Sequence, residues 1–219
     1  MLSKALQAIN CAAVRLFLSR IKHFLLSCRR RKSIIGFFNH LDECGCRYVV
    51  LRWFEGLPDI KYGVDIDILV HDDDADTMKS LLKHYIEKEG IFYDLYSVNG
   101  TVYDWEGSPY YPPFAACGIL ERAEKNEAGI MVPSKEDYFF SLAYHVLYHK
   151  GVTAGLPVSK EQPPIYTNPR HDYKKTLLYL AQELGLDINI DMNSLKQLLT
   201  KKGWLPTSEL MEKISMGED

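Results

Sequence analysis

The stretch that most constrains this chain is Val64-Asp65-Ile66-Asp67-Ile68-Leu69-Val70. It is rich in aliphatic and β-branched residues, as is the earlier run Arg47-Tyr-Val-Val-Leu-Arg52. Pro58 and Gly63 punctuate the eleven residues between the two runs. Two strands are therefore expected. Side chains alternate faces along a strand, so Asp65 and Asp67 share one face, and Ile66, Ile68 and Val70 point the other way into a core. Neighbouring carboxylates repel each other, and an opposed cation relieves the repulsion. A divalent ion, Mg2+ or Mn2+, supplies that charge and keeps coordination positions for phosphate oxygens. The alternative is a strand whose acidic side sits in water, although exposed strand faces usually mix charge signs.

A length of 219 residues suits one domain, or one domain with a small helical appendage, and 47% hydrophobic residues are enough for a real core. Cysteines stand at 11, 28, 44, 46 and 117, an odd count that argues against a disulfide framework. Cys44-Gly-Cys46 is the one close pair, a weak metal signal, and a reducing cytoplasm is expected. Charge is unevenly spread. Residues 1–32 hold eight of the 26 basic residues and none of the 29 acidic ones, leaving 18 basic against 29 acidic residues in the remainder. An acidic body of this kind lacks the footprint for extended nucleic-acid binding.

Within residues 1–32, Leu2, Leu6, Ile9, Ala13, Leu16, Phe17, Phe24 and Leu25 recur near helical spacing, with Lys and Arg between them. No apolar run reaches the ~20 residues that span a bilayer, and the basic cluster follows the apolar part instead of preceding it, unlike a signal peptide. Two readings stay open. The helix lies on an anionic membrane with Arg29-Arg-Arg-Lys32 at the head groups, or it packs on protein. Ser33 to Glu43 reads as a second amphipathic helix. After Val70, Asp72, Asp73 and Asp74 stand where a strand hands over to a helix from Ala75 to Glu89, a position where carboxylates cap free N–H groups. Ile91–Val98 and Thr101–Trp105 read as a hairpin around Asn99-Gly100, and each arm brings one acid, Asp94 and Asp104.

Pro109-Tyr-Tyr-Pro-Pro113 is a stiff aromatic loop, its tyrosines placed to stack on a sugar or base or to pack on the sheet. Ser134-Lys-Glu-Asp137 opens an apolar helix that Gly151 stops. His145 and His149 lie four apart on it with Lys150 beside them. The pair lacks the intervening acid of a zinc-hydrolase motif, so a structural or phosphate-contacting role fits it better than zinc, and Lys150 with one histidine facing the carboxylates would suit an anionic substrate. Thr153–Arg170, with four prolines, reads as a loop or flap, and His171–Leu184, Ser194–Lys202 and Ser208–Ile214 as helices. The fold class is α+β. A mixed sheet is flanked by helices, with an N-terminal amphipathic helix (1–32), an α/β core (33–133) and a mainly helical C-terminal part (134–219).

Residues 46 to about 105 resemble the nucleotidyltransferase-fold superfamily, which includes DNA polymerase β. The likeness lies in the helix, the first strand, and Gly63-Val-Asp65-Ile-Asp67-Ile-Leu-Val70. It implies a nucleotidyltransferase-like sheet, Mg2+ on Asp65 and Asp67, and a third acid from a later strand, Asp94 or else Asp104. The family's Gly-Ser or Gly-Gly pair after the first strand is replaced by Leu51-Arg52-Trp53-Phe54-Glu55-Gly56, where Arg52 stands in as a phosphate contact. Leu-Arg-x-x-Glu-Gly-Leu-Pro and Tyr-His-x-x-x-His-Lys-Gly are also similar to members found near bacterial surface-polysaccharide genes. The expectation is a metal-dependent transferase with a diphosphate-containing donor, a phosphorylated sugar or a nucleotide. Arg52, His145, His149 and Lys150 would contact substrate. Three functions remain: phosphoribosyl or glycosyl transfer to a glycan hydroxyl, nucleotidyl transfer to a small molecule, protein or RNA, or a non-catalytic module of a glycan-assembly complex.

Overall fold

The computed structural model describes residues 2–60, 63–102, 108–165, 171–208 and 210–212, with side chains from residue 16 onward. It is an α+β structure. Helix α1 (Leu2–Glu43) leads into strand β1 (Tyr48–Val50). The two N-terminal helices expected from the sequence are thus one. No glycine or proline lies between residues 2 and 35 to break it, and a basic cluster does not end a helix. Strand β2 (Asp65–Val70) pairs antiparallel with β1, and α2 (Ala75–Leu81) carries the chain over to β3 (Phe92–Ser97), which runs parallel to β2. The sheet order is β1-β2-β3. Helix α3 (Pro113–Glu121), a small hairpin of β4 (Glu124–Lys125) and β5 (Met131–Val132), and helices α4 (Lys135–Tyr144), α5 (Tyr173–Glu183) and α6 (Met192–Lys202) complete the fold.

Alternation along the strands divides the interior into two cores. On one face Tyr48, Val50, Ile66, Ile68, Val70 and Leu95 meet Ile34, Phe37, Phe38 and Leu41 of α1 and Met78 of α2. On the other, Val49, Leu51, Leu69 and Tyr96 meet α3 to α6. The site sits on this second face, at the β2 end where aliphatic residues give way to carboxylates. Each C-terminal helix starts on a side-chain cap. Ser134, Asp172 and Asp191 accept from the backbone N–H of Asp137, Lys175 and Ser194.

Two local readings are corrected. Asp72, Asp73 and Asp74 do not cap their helix; the ring of His71 accepts from Asp73 N instead. Asp72 accepts from the N–H and amide of Asn99 and from the Thr101 hydroxyl, and Arg47 bridges Asp73 and Asp74. The acids tie strand ends together because their donors lie across the sheet edge. The hairpin is also corrected as far as it is described. Gly100 turns at φ 72°, where a Cβ would stand 2.3 Å from the Ser108 carbonyl carbon. Yet Thr101 donates to Ser97 Oγ, and residues 101 and 102 do not pair back on β3. The rest of that arm, with Asp104, lies outside the described residues.

Candidate metal and phosphate site

The parallel register places Asp67 opposite Asp94 and sets Asp65 one pleat earlier on the same face. Their nearest ligand oxygens all lie within 4.8 Å of one another. Oxygens sharing one six-coordinate Mg2+ stand about 3–4 Å apart, so this trio needs only a small closure to hold such an ion. Chemistry agrees with spacing, since three carboxylates are a hard-oxygen donor set. Asp67 is 3% exposed. Burial above all, with the nearby charges of Asp65 and Asp94, pushes its carboxyl up to about 6 even though Arg52 and Tyr96 act in the opposite direction.

Two neighbours complete the cluster. Arg52 Nη2 donates to Asp67 Oδ1 in a buried ion pair. It donates also to the Tyr96 hydroxyl at 3.3 Å. That hydroxyl lies 3.3 Å from Asp67 Oδ1 and 3.2 Å from Asp94 Oδ2, so its single proton sits between the two acids. The other guanidinium nitrogen, Arg52 Nη1, is buried with no hydrogen-bond partner among the described residues. An orphaned buried charge donor is costly, and a ligand oxygen would satisfy it. Arg52 and Asp65 also line a cleft of about 140 Å3, walled by Trp53, Leu57, Asp59 and Ile60.

Trp53 is the one non-glycine residue described with a positive φ, at 56°. It opens the turn Phe54–Gly56 and stacks on His171 with ring centres 4.2 Å apart. Left-handed backbone at a bulky residue is strained, and such strain collects at functional sites.

His145 and His149 fall elsewhere. His145 Nδ1 bonds the Tyr110 hydroxyl, and its Nε2 lies 3.3 Å from the Tyr173 hydroxyl. His149 stacks flat on Tyr110 at 3.7 Å and donates from Nε2 to the Tyr110 carbonyl. Burial holds both rings neutral. It takes His145 well below its ordinary value and His149 down to about 3. The pair thus belongs to a tyrosine layer behind Arg52, which lies over the Tyr96 and Tyr110 rings, and offers no positive surface to a phosphate. Lys150 is exposed at the end of the π turn His145–Lys150 that continues α4. Cys46 offers no thiolate, because burial first and then Asp74 push its thiol up to about 12.

Tyr96 is the member that sequence reasoning missed. Its signal was present in Asp94-Leu-Tyr96, since residues two apart on a strand share a face. No family model, curated protein or solved structure matches this chain.

Proposed function

We propose that this chain is a Mg2+- or Mn2+-dependent transferase that uses a diphosphate-containing donor, built on a nucleotidyltransferase-like core. Its reaction is phosphoribosyl or glycosyl transfer to a glycan hydroxyl in bacterial surface-polysaccharide synthesis. One observation carries the reading. Asp65, Asp67 and Asp94 converge from two adjacent strands beside a buried arginine whose second terminal nitrogen has no partner among the described residues. The left-handed backbone at Trp53 lies beside this cluster and is a strained conformation of the kind that collects at functional sites. Four unpaired cysteines, Cys28, Cys44, Cys46 and Cys117, fit a reducing cytoplasm.

Asp65, Asp67 and Asp94 would hold the ion, which when bound supplies charge to neutralise the diphosphate as pyrophosphate departs. Arg52 Nη1 donates to a donor phosphate oxygen from a position fixed by Asp67 and Tyr96. Asp94 accepts the proton of the attacking hydroxyl at a carboxylate oxygen, which Tyr96 orients. The bond that breaks joins the anomeric carbon to the diphosphate oxygen, and the acceptor oxygen forms its replacement.

Thermal stability measured with phosphoribosyl diphosphate, ATP or CTP, with and without Mg2+, tests the reading. A cognate donor at 100 times its dissociation constant adds about 2.7 kcal/mol, and only with the metal. Asp65→Ala abolishes that gain together with pyrophosphate release. Transfer of labelled nucleotide in place of pyrophosphate release from the sugar donor would move the assignment to nucleotidyl transfer. Stabilisation by Asp65→Asn with no ligand response in the native chain would make the site a remnant in a non-catalytic module.

A further inference from the structure

Helix α1 carries a second apolar stripe that nothing among the described residues covers. At about 100° per residue, Phe17, Ile21, Phe24, Cys28 and Ile35 fall in one narrow sector, with Leu25 and Leu18 extending it on one side and Leu16 and Leu26 outside it. The sector is centred roughly 120° around the helix from the buried set Ile34, Phe37, Phe38 and Leu41. The stripe is therefore not an extension of the face that holds the body. Phe17 is 63% exposed, Phe24 67% and Leu25 60%. A run of large apolar side chains this open exceeds what an isolated surface normally carries.

Charge decides what covers it. Residues 1–32 contain no acid, and Arg20 flanks the stripe on one side with Lys22 on the other. The Arg29–Lys32 run, expected at lipid head groups, is in part occupied elsewhere. Arg29 pairs with Glu89, Arg30 donates to the Glu89 carbonyl, and Arg31 pairs with Asp59. These contacts clasp the helix root to the body and leave Arg20, Lys22 and the exposed Lys32 as cations beside the stripe. Two copies joined along it would set cation against cation with no acid to relieve them, which disfavours a homodimeric helix pair. An anionic lipid surface answers both features, taking aromatic and aliphatic side chains below the head groups and cations among them. No helix of the described residues is long and apolar enough to cross a membrane.

We infer that residues 16–28 of α1 lie in the plane of an anionic membrane surface, with Phe17, Ile21, Phe24 and Leu25 inserted and Arg20 and Lys22 at the phosphates. The stripe spans about 20 Å along the surface, and the body sits to its side.

Co-sedimentation of the full chain with vesicles tests this. The chain is expected to bind phosphatidylcholine vesicles containing about one-third phosphatidylglycerol, to bind pure phosphatidylcholine far less, and to release as salt is raised. Removing both charges with Arg20→Ser and Lys22→Ser weakens binding by on the order of tenfold or more. Phe17→Glu with Phe24→Glu abolishes it, while circular dichroism and the thermal transition of the body stay unchanged. Equal binding to both vesicle types, or none to either, overturns the inference. So does a dimer by light scattering that the phenylalanine variants dissolve, because a second copy would then be the occupant.

Discussion

The two faces of the three-stranded sheet come from the same strands, one residue out of step, yet they follow different rules. Toward α1 and α2, every inward position of β2 is apolar, and Ile66, Ile68 and Val70 are 2% exposed or less. Toward α3 to α6 the same strand offers Asp65, Asp67 and only then Leu69. The first face gains free energy by burying hydrocarbon. The second sinks a carboxylate and a guanidinium out of water, where mutual attraction barely offsets desolvation. The fold thus tolerates a costly cluster on one side because the other side is uncompromised. Stability alone would not select such a cluster.

The contrast can be broken most sharply at Arg52. Arg52→Met should destabilise the chain by about 4 kcal/mol in urea unfolding, because Asp67 is left buried without its counter-ion and must stay charged unpaired or take up a proton. Adding Asp67→Leu should restore most of that loss, and the double variant should show no Mg2+-dependent ligand response. A single variant as stable as the parent would mean the two faces do not differ as argued. On the opposite face, Ile68→Ala should cost about 3 kcal/mol through its cavity. The metal-dependent stabilisation by donor should survive that change, which separates scaffold from site.

The smallest effect is in pH. His145 and His149 are held neutral when folded, so their contribution is present above the unfolded value of 6.5 and is lost as pH falls. Asp67 runs the other way. Its value is raised from 3.8 to about 6, so its contribution is present at low pH and is lost as pH rises through about 6. Between about pH 6 and 4.5, the unfolded chain binds up to two more protons at the histidines than the folded chain does, and the folded chain about one more at Asp67. The net is about one proton, a fall in unfolding free energy of about 1.4 kcal/mol per pH unit. Urea unfolding across that range measures the slope, and a rise on acidification would show that the tyrosine layer admits charged histidine.

Much of this was legible because strand periodicity is local. Asp65 and Asp67 on one face, Ile66 and Ile68 on the other, and the Ser134 cap all follow from spacings of two to four residues. The meeting of Asp67 with Asp94 was reachable only through the resemblance, since parallel register is fixed by how α2 crosses over and no short pattern encodes it. Asp72 and the histidine pair were misplaced for a related reason. Each finds its donors or its rings far along the chain, at Asn99 and Thr101 and at Tyr110 and Tyr173. The merged α1 is a different failure. A change of composition at residue 32 looked like a boundary, but only backbone chemistry ends a helix.

That unbroken α1 couples distant parts of the chain mechanically. Arg31 grips Asp59, in the wall of the cleft that Arg52 and Asp65 also line. With no hinge between Phe17 and that grip, the azimuth of the outer stripe dictates where the cleft opens. One residue inserted near position 27 would turn the two by about 100° relative to each other. Whatever captures the far end of the rod therefore aims the carboxylates at its near end.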